Sequence, residues 1–514
     1  MRSIEGMNRS SCDNFGRPVR SVSGYLVAPE KQSKPLVFRF VSRLIYYKIP
    51  CKTCTNGQKT QGFCMTPKPN FTADDLFRAH FDQILNPDHP LLVLARRIDW
   101  KRFDQEIAPC YDDQTGRPGI NTRLMVGLFY LKATFNLSDE QLVEHWVENP
   151  CWQAFCGFHY FQHEMPIDPS SLSRWRKRVK PERIELLLKI VIETGIEMKA
   201  ISKADLKQVN VDTTVQEKAI AFPTDSRLYQ KARLILVRRA RQLGIRLHET
   251  YQKAGKAALI RQSKYSHAKQ FRRAAREERR LRTMLGRIVR VLERIAPKVK
   301  GQVKDEKLRM MLQLANRLLQ QTKTSKNKIY SLHSPEVNCI SKGKAHKRYE
   351  FGCKVGLVNR SRSNWVLGIQ AFEGSPYDGH TLNVCISQME RLTGTNPDDI
   401  VVDQGYNGHD YKGKAKVHIV KKLSRSLAPG LRRLLKRRSA IEPIIGHLKG
   451  DHRMDRNYLR GVAGDSINAL MAGIGFNLRK LLGWIIFVLN YLISAAVIWQ
   501  LRMRCRPCMG ISMQ

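Results

Sequence analysis

An α/β chain with a helical N-terminal part, and a second, basic helical block set between its strands, is what this sequence predicts. Three observations carry that reading. Runs rich in β-branched residues stand on either side of a long helical tract, at Gln208-Val-Asn-Val-Asp212 and at Ile400-Val-Val-Asp403, as strands require. Helical spacing dominates from about 72 to 200 and again from about 227 to 328. The balance of 89 Lys and Arg against 45 Asp and Glu leaves a net charge of +44, which implies a polyanionic partner, most often nucleic acid.

At 514 residues the chain is too long for one core, so about two to four domains are expected. Residues 1–64 carry no sustained periodicity, and Pro35-Leu-Val-Phe-Arg-Phe-Val is an isolated apolar stretch. They read as an extension, with Met65-Thr-Pro-Lys-Pro opening the regular pattern. Met1-Arg-Ser-Ile-Glu lacks the apolar core of a signal peptide, so a cytoplasmic, nucleoid-associated protein is expected. The 12 cysteines are scattered and form no disulfide framework. Cys51 with Cys54, and Cys505 with Cys508, each have half-site zinc spacing, with Cys64 as a third candidate ligand. The two pairs lie at opposite ends of the chain, short of the four ligands that a structural zinc needs.

The helical part at 65–200 contains a capping box, Ser138-Asp-Glu-Gln141, followed by Leu142, His145 and Trp146 at helical spacing. Asp168-Pro-Ser-Ser-Leu-Ser-Arg-Trp-Arg-Lys-Arg178 starts another helix. Two helices joined by a polar turn, the second basic, suggest a helix-turn-helix arrangement. Arg174, Arg176, Lys177 and Arg178 are its candidate DNA contacts.

Short strands are expected at 201–225. The block 226–328 follows, and between Arg227 and Lys328 it holds 30 Lys and Arg against 6 Asp and Glu. Leu281, Leu285, Ile288, Leu292 and Ile295 recur three or four apart, so one face is buried or paired. So much like charge repels itself unless a polyanion neutralises it, which favours phosphate binding over a merely solvated face.

Strands return from about 329 to 403, clearest at Tyr349–Val358 and Trp365–Ile369. Asp378-Gly-His380 starts a helix, and a helical tract runs from about 431 to 449. The tail, 481–514, includes an apolar run from Trp484 to Leu501 flanked by Arg479, Lys480 and Arg502. At 18 residues it reaches the lower limit of a membrane span. Asn490, Ser494 and Gln500 interrupt it, so a terminal helix packed on the core is expected, not a membrane helix.

Three acidic residues carry the chemistry. Asp212 and Asp403 each end a strand-like run, where a sheet holds a carboxylate rigidly and leaves it facing solvent. Alternation puts Val209 and Val211 on one face and Asn210, Asp212 and Thr214 on the other. Glu442 lies in Arg438-Ser-Ala-Ile-Glu442-Pro-Ile-Ile-Gly-His-Leu-Lys449. At about 100° per residue, Arg438, Glu442 and Lys449 fall within roughly 40° of one another. Pro443 disfavours helical geometry at Glu442. Either the helix kinks there, or it begins there and Arg438 belongs to the preceding turn. Three carboxylates so placed suit two Mg²⁺ ions about 4 Å apart, the arrangement that clamps both oxygens of a phosphodiester exchange.

These motifs resemble those of bacterial insertion-sequence transposases of the DDE class, and most of all insertion-sequence family five. The residues that carry the resemblance are Val211-Asp-Thr-Thr-Val-Gln-Glu-Lys-Ala, Asp403-Gln-Gly-Tyr406 and Arg438, Glu442 and Lys449. It spans roughly residues 70–480. That family's Tyr-x2-Arg-x3-Glu-x6-Lys signature is matched in its last three members, but the Tyr position is Leu435. The resemblance implies an RNase H-like catalytic core at 201–225 and 329–480, with 226–328 as an insertion. It implies that Asp212, Asp403 and Glu442 are catalytic and bind Mg²⁺ or Mn²⁺, and that Arg438 and Lys449 contact the element's end. The partners would be double-stranded DNA, as terminal inverted repeats and target, and further copies of the chain in a dimer or larger assembly. The reaction would be cleavage at the element's end followed by strand transfer. No set of residues supporting a serine or tyrosine nucleophile stands out. A DNA-binding remnant without activity is the competing class, and a membrane-tethered protein a third.

Overall fold

The computed structural model describes residues 78–111, 119–295, 305–322, 324–341, 348–420 and 428–504, with side chains to 500. Expectations for residues 1–64, for Met65 and for Cys51, Cys54, Cys64, Cys505 and Cys508 lie outside these residues. The described cysteines are all free thiols.

The N-terminal part is helical as expected: α1 Phe81–Ile84, α2 Pro90–Arg97, α3 Trp100–Ile107, α4 Thr122–Phe135, α5 Asp139–Glu148, α6 Pro150–Phe155 and α7 Pro169–Glu197. The capping box forms at α5, with Ser138 and Gln141 exchanging hydrogen bonds. Asp168 caps α7 by accepting from Ser170 N at 2.8 Å, and Pro169 takes the first helical position, where no N–H is needed. Pro181 removes a donor within α7, and Lys180 adopts φ 61° there, so α7 is two helices joined at a kink.

The sheet starts at β1, Gln208–Glu217. Four helices intervene: α8 Asp225–Gln242, α9 Gln252–His267, α10 Phe271–Ile295 and α11 Glu306–Gln320. Then come β2 Asn338–Ser341, β3 Tyr349–Arg360, β4 Val366–Phe372, α12 Asp378–Thr393, β5 Asp399–Val402 and β6 Lys416–Ile419. Last are α13 Pro429–Lys436, a 3-10 turn Arg437–Ala440, α14 Ile441–Asp451 and α15 Gly461–Arg504. β3 lies antiparallel between β1 and β4, and its first residues also pair with β2. On its other edge β1 runs parallel to β5, and β5 parallel to β6. Three antiparallel strands are thus continued by two parallel ones.

Two hydrophobic cores divide the described residues. One joins the N-terminal helices to the sheet, with Leu128, Trp146, Leu187, Val211, Leu357, Ile400, Ile444 and Ile474 in a single cluster. The other is built on α8–α11, with Ile245, Ile329 and Leu332 from the segments next to them, and includes Leu236, Leu281, Leu285, Ile288, Leu292, Leu308 and Leu318. Gly475 on α15 permits a close approach to α4, because a Cβ there would stand 2.2 Å from the Ala133 carbonyl oxygen.

The tail corrects its expectation. α15 is buried as far as Ile485, but Ile486, Phe487, Tyr491, Leu492, Ile493, Val497, Ile498 and Trp499 are exposed. Trp484, Ile485 and Leu489 still pack on the core, but the helix then runs beyond the elements that cover its first half. By length and composition this helix could cross a membrane.

Candidate active site and DNA-facing surfaces

Asp212 does not end its strand, as the sequence suggested, but stands at the fifth position of β1, paired with Leu357. β5 pairs only with Gln208, Val209 and Asn210 of β1. Asp212 therefore stands where the parallel part of the sheet opens, so the geometry of a strand end is produced by the neighbour and not by β1 itself. Asp403 follows β5 directly and caps the turn Gln404–Tyr406, accepting from Gly405 N at 2.9 Å. Glycine suits position 405, since a Cβ would meet Asp403 Oδ1 at 3.0 Å and Asp378 Oδ2 at 3.2 Å. Tyr406 is fully buried beneath this turn, and burial pushes its phenol well above its ordinary pKa.

Glu442 lies in the first turn of α14 and is 64% exposed. The Pro443 ambiguity resolves towards a helix that begins at Ile441, with Arg438 in the preceding 3-10 turn. Lys449 lies two turns along α14 and is half-buried. Leu435, at the position where the signature has Tyr, is buried on α13.

One side chain joins the three carboxylates. Arg438 Nη2 donates to Asp212 Oδ2 at 3.0 Å and to Asp403 Oδ2 at 3.4 Å, and its Nη1 donates to Glu442 Oε1 at 3.2 Å. Its Nε is buried without a hydrogen-bond partner. With the guanidinium at the centre, the carboxylates stand around it rather than against one another. Among the described residues no three His, Cys, Asp or Glu side chains are grouped closely enough to hold a metal ion. The donor chemistry still fits one: three hard carboxylate donors from three elements already share a single cation.

A fourth carboxylate, which the sequence reading treated only as a helix start, borders this group. Asp378 Oδ1 accepts from Thr213 Oγ1 at 2.6 Å and from Lys354 Nζ at 2.8 Å. It ties α12 to β1 and β3 beside the Asp403 turn. An acidic residue heading a helix after two strands was the available signal.

The candidate DNA contacts on α7 separate. Arg174, Lys177 and Arg178 are exposed, with Arg178 lying over the Tyr111 ring. Arg176 is a correction: it is 8% exposed and bound through two nitrogens to Asp139, at 3.0 and 2.6 Å. Its fork is committed to a partner inside the protein, so it does not face a duplex. A larger basic surface was missed residue by residue. On α10, Arg272, Arg276, Arg279, Arg287, Arg290 and Arg294 are all exposed, and at about 100° per residue they fall on one stripe roughly 33 Å long. Among the described residues no carboxylate is paired with any of the six. Leu281, Leu285, Ile288 and Leu292 occupy the opposite side, which turns this stripe outward.

The mixed sheet thus gathers three carboxylates from a strand, a turn and a helix, in a chain that also carries strongly basic helices. Residues 79–178 match the family described as "Transposase domain (DUF772)", and residues 320–478 the family described as "Transposase DDE domain". An uncharacterized protein, ORF8 in the nfe locus of Rhizobium meliloti, is 51% identical over 204 residues, 40% of this chain and 98% of that protein. No solved structure matches the chain. The chain belongs to the DDE transposases of insertion sequences. Asp403 and Glu442 fall inside the matched DDE stretch, whereas Asp212 and α8–α10 lie between the two matched stretches.

Proposed function

We propose that this chain is a transposase of insertion-sequence family five that binds the terminal inverted repeats of its own element, cleaves there and transfers the freed strand to target DNA. The observation that carries this reading is the meeting of Asp212, Asp403 and Glu442 around one guanidinium, from elements up to 230 positions apart in sequence. The strand order, three antiparallel strands extended by two parallel ones, supports an RNase H-like catalytic core. Asp212, Asp403 and Glu442 would hold Mg²⁺ or Mn²⁺, which supplies an activated water and stabilises the leaving oxygen.

The chain's own residues do the rest. The sheet fixes Asp212 and the Asp403 turn, while α14 brings Glu442 from outside the sheet, so the acidic face is complete only when both are docked. Lys449, on the same helix, offers a cation for a phosphate of the element's end. Arg174, Lys177 and Arg178 would position the duplex at the helical N-terminal part. The stripe on α10 supplies sequence-independent contact with the backbone. Strand transfer joins two DNA segments, so an assembly of two or more copies is expected.

Labelled duplexes from the DNA flanking its own gene, incubated with the protein and Mg²⁺ or Mn²⁺, test this. Metal-dependent nicking at one defined position is expected, with Asp403→Asn slower by roughly 10³-fold, the scale of removing a charge-stabilising group from an active site, and DNA binding retained. Binding without cutting by the unaltered chain would favour the inactive remnant.

A further inference from the structure

We propose that Arg438 is a built-in counter-cation that holds the three carboxylates together, competes with the metal for them, and is drawn away by DNA. The proposal rests on the reading of Asp212, Asp403 and Glu442 as the metal-binding set. Its basis is geometric. The guanidinium donates to Asp212 Oδ2, Asp403 Oδ2 and Glu442 Oε1, oxygens that a metal ion would need. A dication and a guanidinium cannot share these oxygens at contact distance without strong repulsion.

Arg438 is also equipped to leave. Its Nε has no hydrogen-bond partner, so the group is incompletely satisfied where it lies. It sits in a 3-10 turn between two helices rather than inside one. Its side chain is 20% exposed and Glu442 is 64% exposed, so the outer side of the cluster faces solvent. A phosphate offers a guanidinium the same planar pair of oxygens as a carboxylate. DNA arriving at this face would therefore take Arg438 as a ligand and release the carboxylates. Metal and DNA binding are then positively coupled, by the same factor in either direction. A site that gains its metal fully only on DNA is less exposed to idle hydrolysis.

The test is a calorimetric titration of the full chain with Mn²⁺, without DNA and then with a 30-base-pair duplex. Asp403→Asn serves as the blank for ions taken up by the DNA itself. Without DNA, Arg438→Gln is expected to bind Mn²⁺ about tenfold tighter than the unaltered chain, because a competing unit charge has gone. Arg438→Lys, which keeps the charge, should stay near the unaltered value. The duplex should raise the Mn²⁺ affinity of the unaltered chain and leave that of Arg438→Gln unchanged. Equal affinities of the unaltered and Gln chains, with no gain on adding DNA, would overturn the proposal. Should the Gln variant fail to fold, the unaltered chain decides alone: without a DNA-dependent gain in affinity the proposal falls. If Asp403→Asn binds Mn²⁺ as well as the unaltered chain, the metal-site reading itself has failed, and the proposal with it. Loss of binding in Asp403→Asn without any gain in Arg438→Gln would overturn the role of Arg438 alone.

Discussion

Arginine appears in two opposite settings in this molecule. Arg438 has three carboxylates from three elements around it, whereas the six arginines of the outward stripe, among the nine on α10, have no carboxylate partner among the described residues. Where the protein neutralises a cation internally, that cation organises structure; where it leaves a row of cations open, the field points outward to a polyanion. The composition alone could not separate these uses, since every residue contributes the same unit to the net charge of +44.

The internal class has a second and more buried member, and the largest effect is expected there. Lys218, just past β1, donates to Asp465 Oδ1 at 2.7 Å and contacts Glu336 Oε1 at 2.9 Å, with all three side chains at 10% exposure or less. Asn457 Nδ2 and the Gly461 N–H complete the set. It ties the strand that carries Asp212 to the N-terminal end of α15. Lys218→Met would leave two buried carboxylates without their cation, a loss of roughly 3–5 kcal/mol. Denaturant unfolding measures it, and a loss below about 1 kcal/mol would show that water reaches this cluster and that internal neutralisation matters less than the comparison holds.

His452 sharpens the contrast from another side, as a cation that the fold refuses. It closes α14 and bonds through Nδ1 to the Ala133 carbonyl of α4 at 3.0 Å. Burial lowers its pKa from 6.5 to about 4, although the bond to Ala133 pulls the other way. The folded imidazole therefore stays neutral where the unfolded one takes a proton. Stability should be complete above about pH 6.5, fall as the pH drops below it, and level off near pH 4, where the folded form protonates as well. The full span corresponds to about 3 kcal/mol. Melting temperatures across this range, compared with His452→Gln, check it: the variant should show a flatter profile, and an identical slope would assign the acid sensitivity to other groups.

Much of the candidate site's placement was legible because its determinants are local. An apolar run that ends in Asp403-Gln-Gly-Tyr406 reads as a buried strand delivering a carboxylate, and the alternation around Asp212 reads as a strand. Placing Asp212 at a strand end failed, since the opening is created by where β5 stops and not by anything in β1. The i, i+4 relation of Arg438 to Glu442 was visible in the spacing, but its bonds to Asp212 and Asp403 span 226 and 35 positions and depend on the docking of the 3-10 turn. Arg176 failed for the same reason. The run Arg-Trp-Arg-Lys-Arg looks uniformly basic, and only the packing of α5 against α7 gives Asp139 to one of its members. The tail was misjudged because an apolar helix has the same sequence whether or not a surface covers it.

The smallest effect on stability, and the clearest on binding, belongs to the open arginines. Arg272, Arg276 and Arg279 stand on one face of α10, whose buried side is formed by Leu281, Leu285, Ile288 and Leu292 of the separate core. Replacing all three with Gln breaks no bond to a carboxylate, so the unfolding free energy should move by less than about 0.5 kcal/mol. A small gain is expected in low salt, where like charges repel most. Binding to duplex DNA of any sequence should weaken. The slope of log affinity against log salt should become shallower by about 0.9 for each phosphate no longer neutralised, or about 2.7 if all three arginines touch phosphates. Filter binding at several salt concentrations, run beside thermal melting, gives both numbers from one preparation. An unchanged salt slope would mean that this face does not meet DNA, and that the excess charge of the four-helix block serves another polyanion.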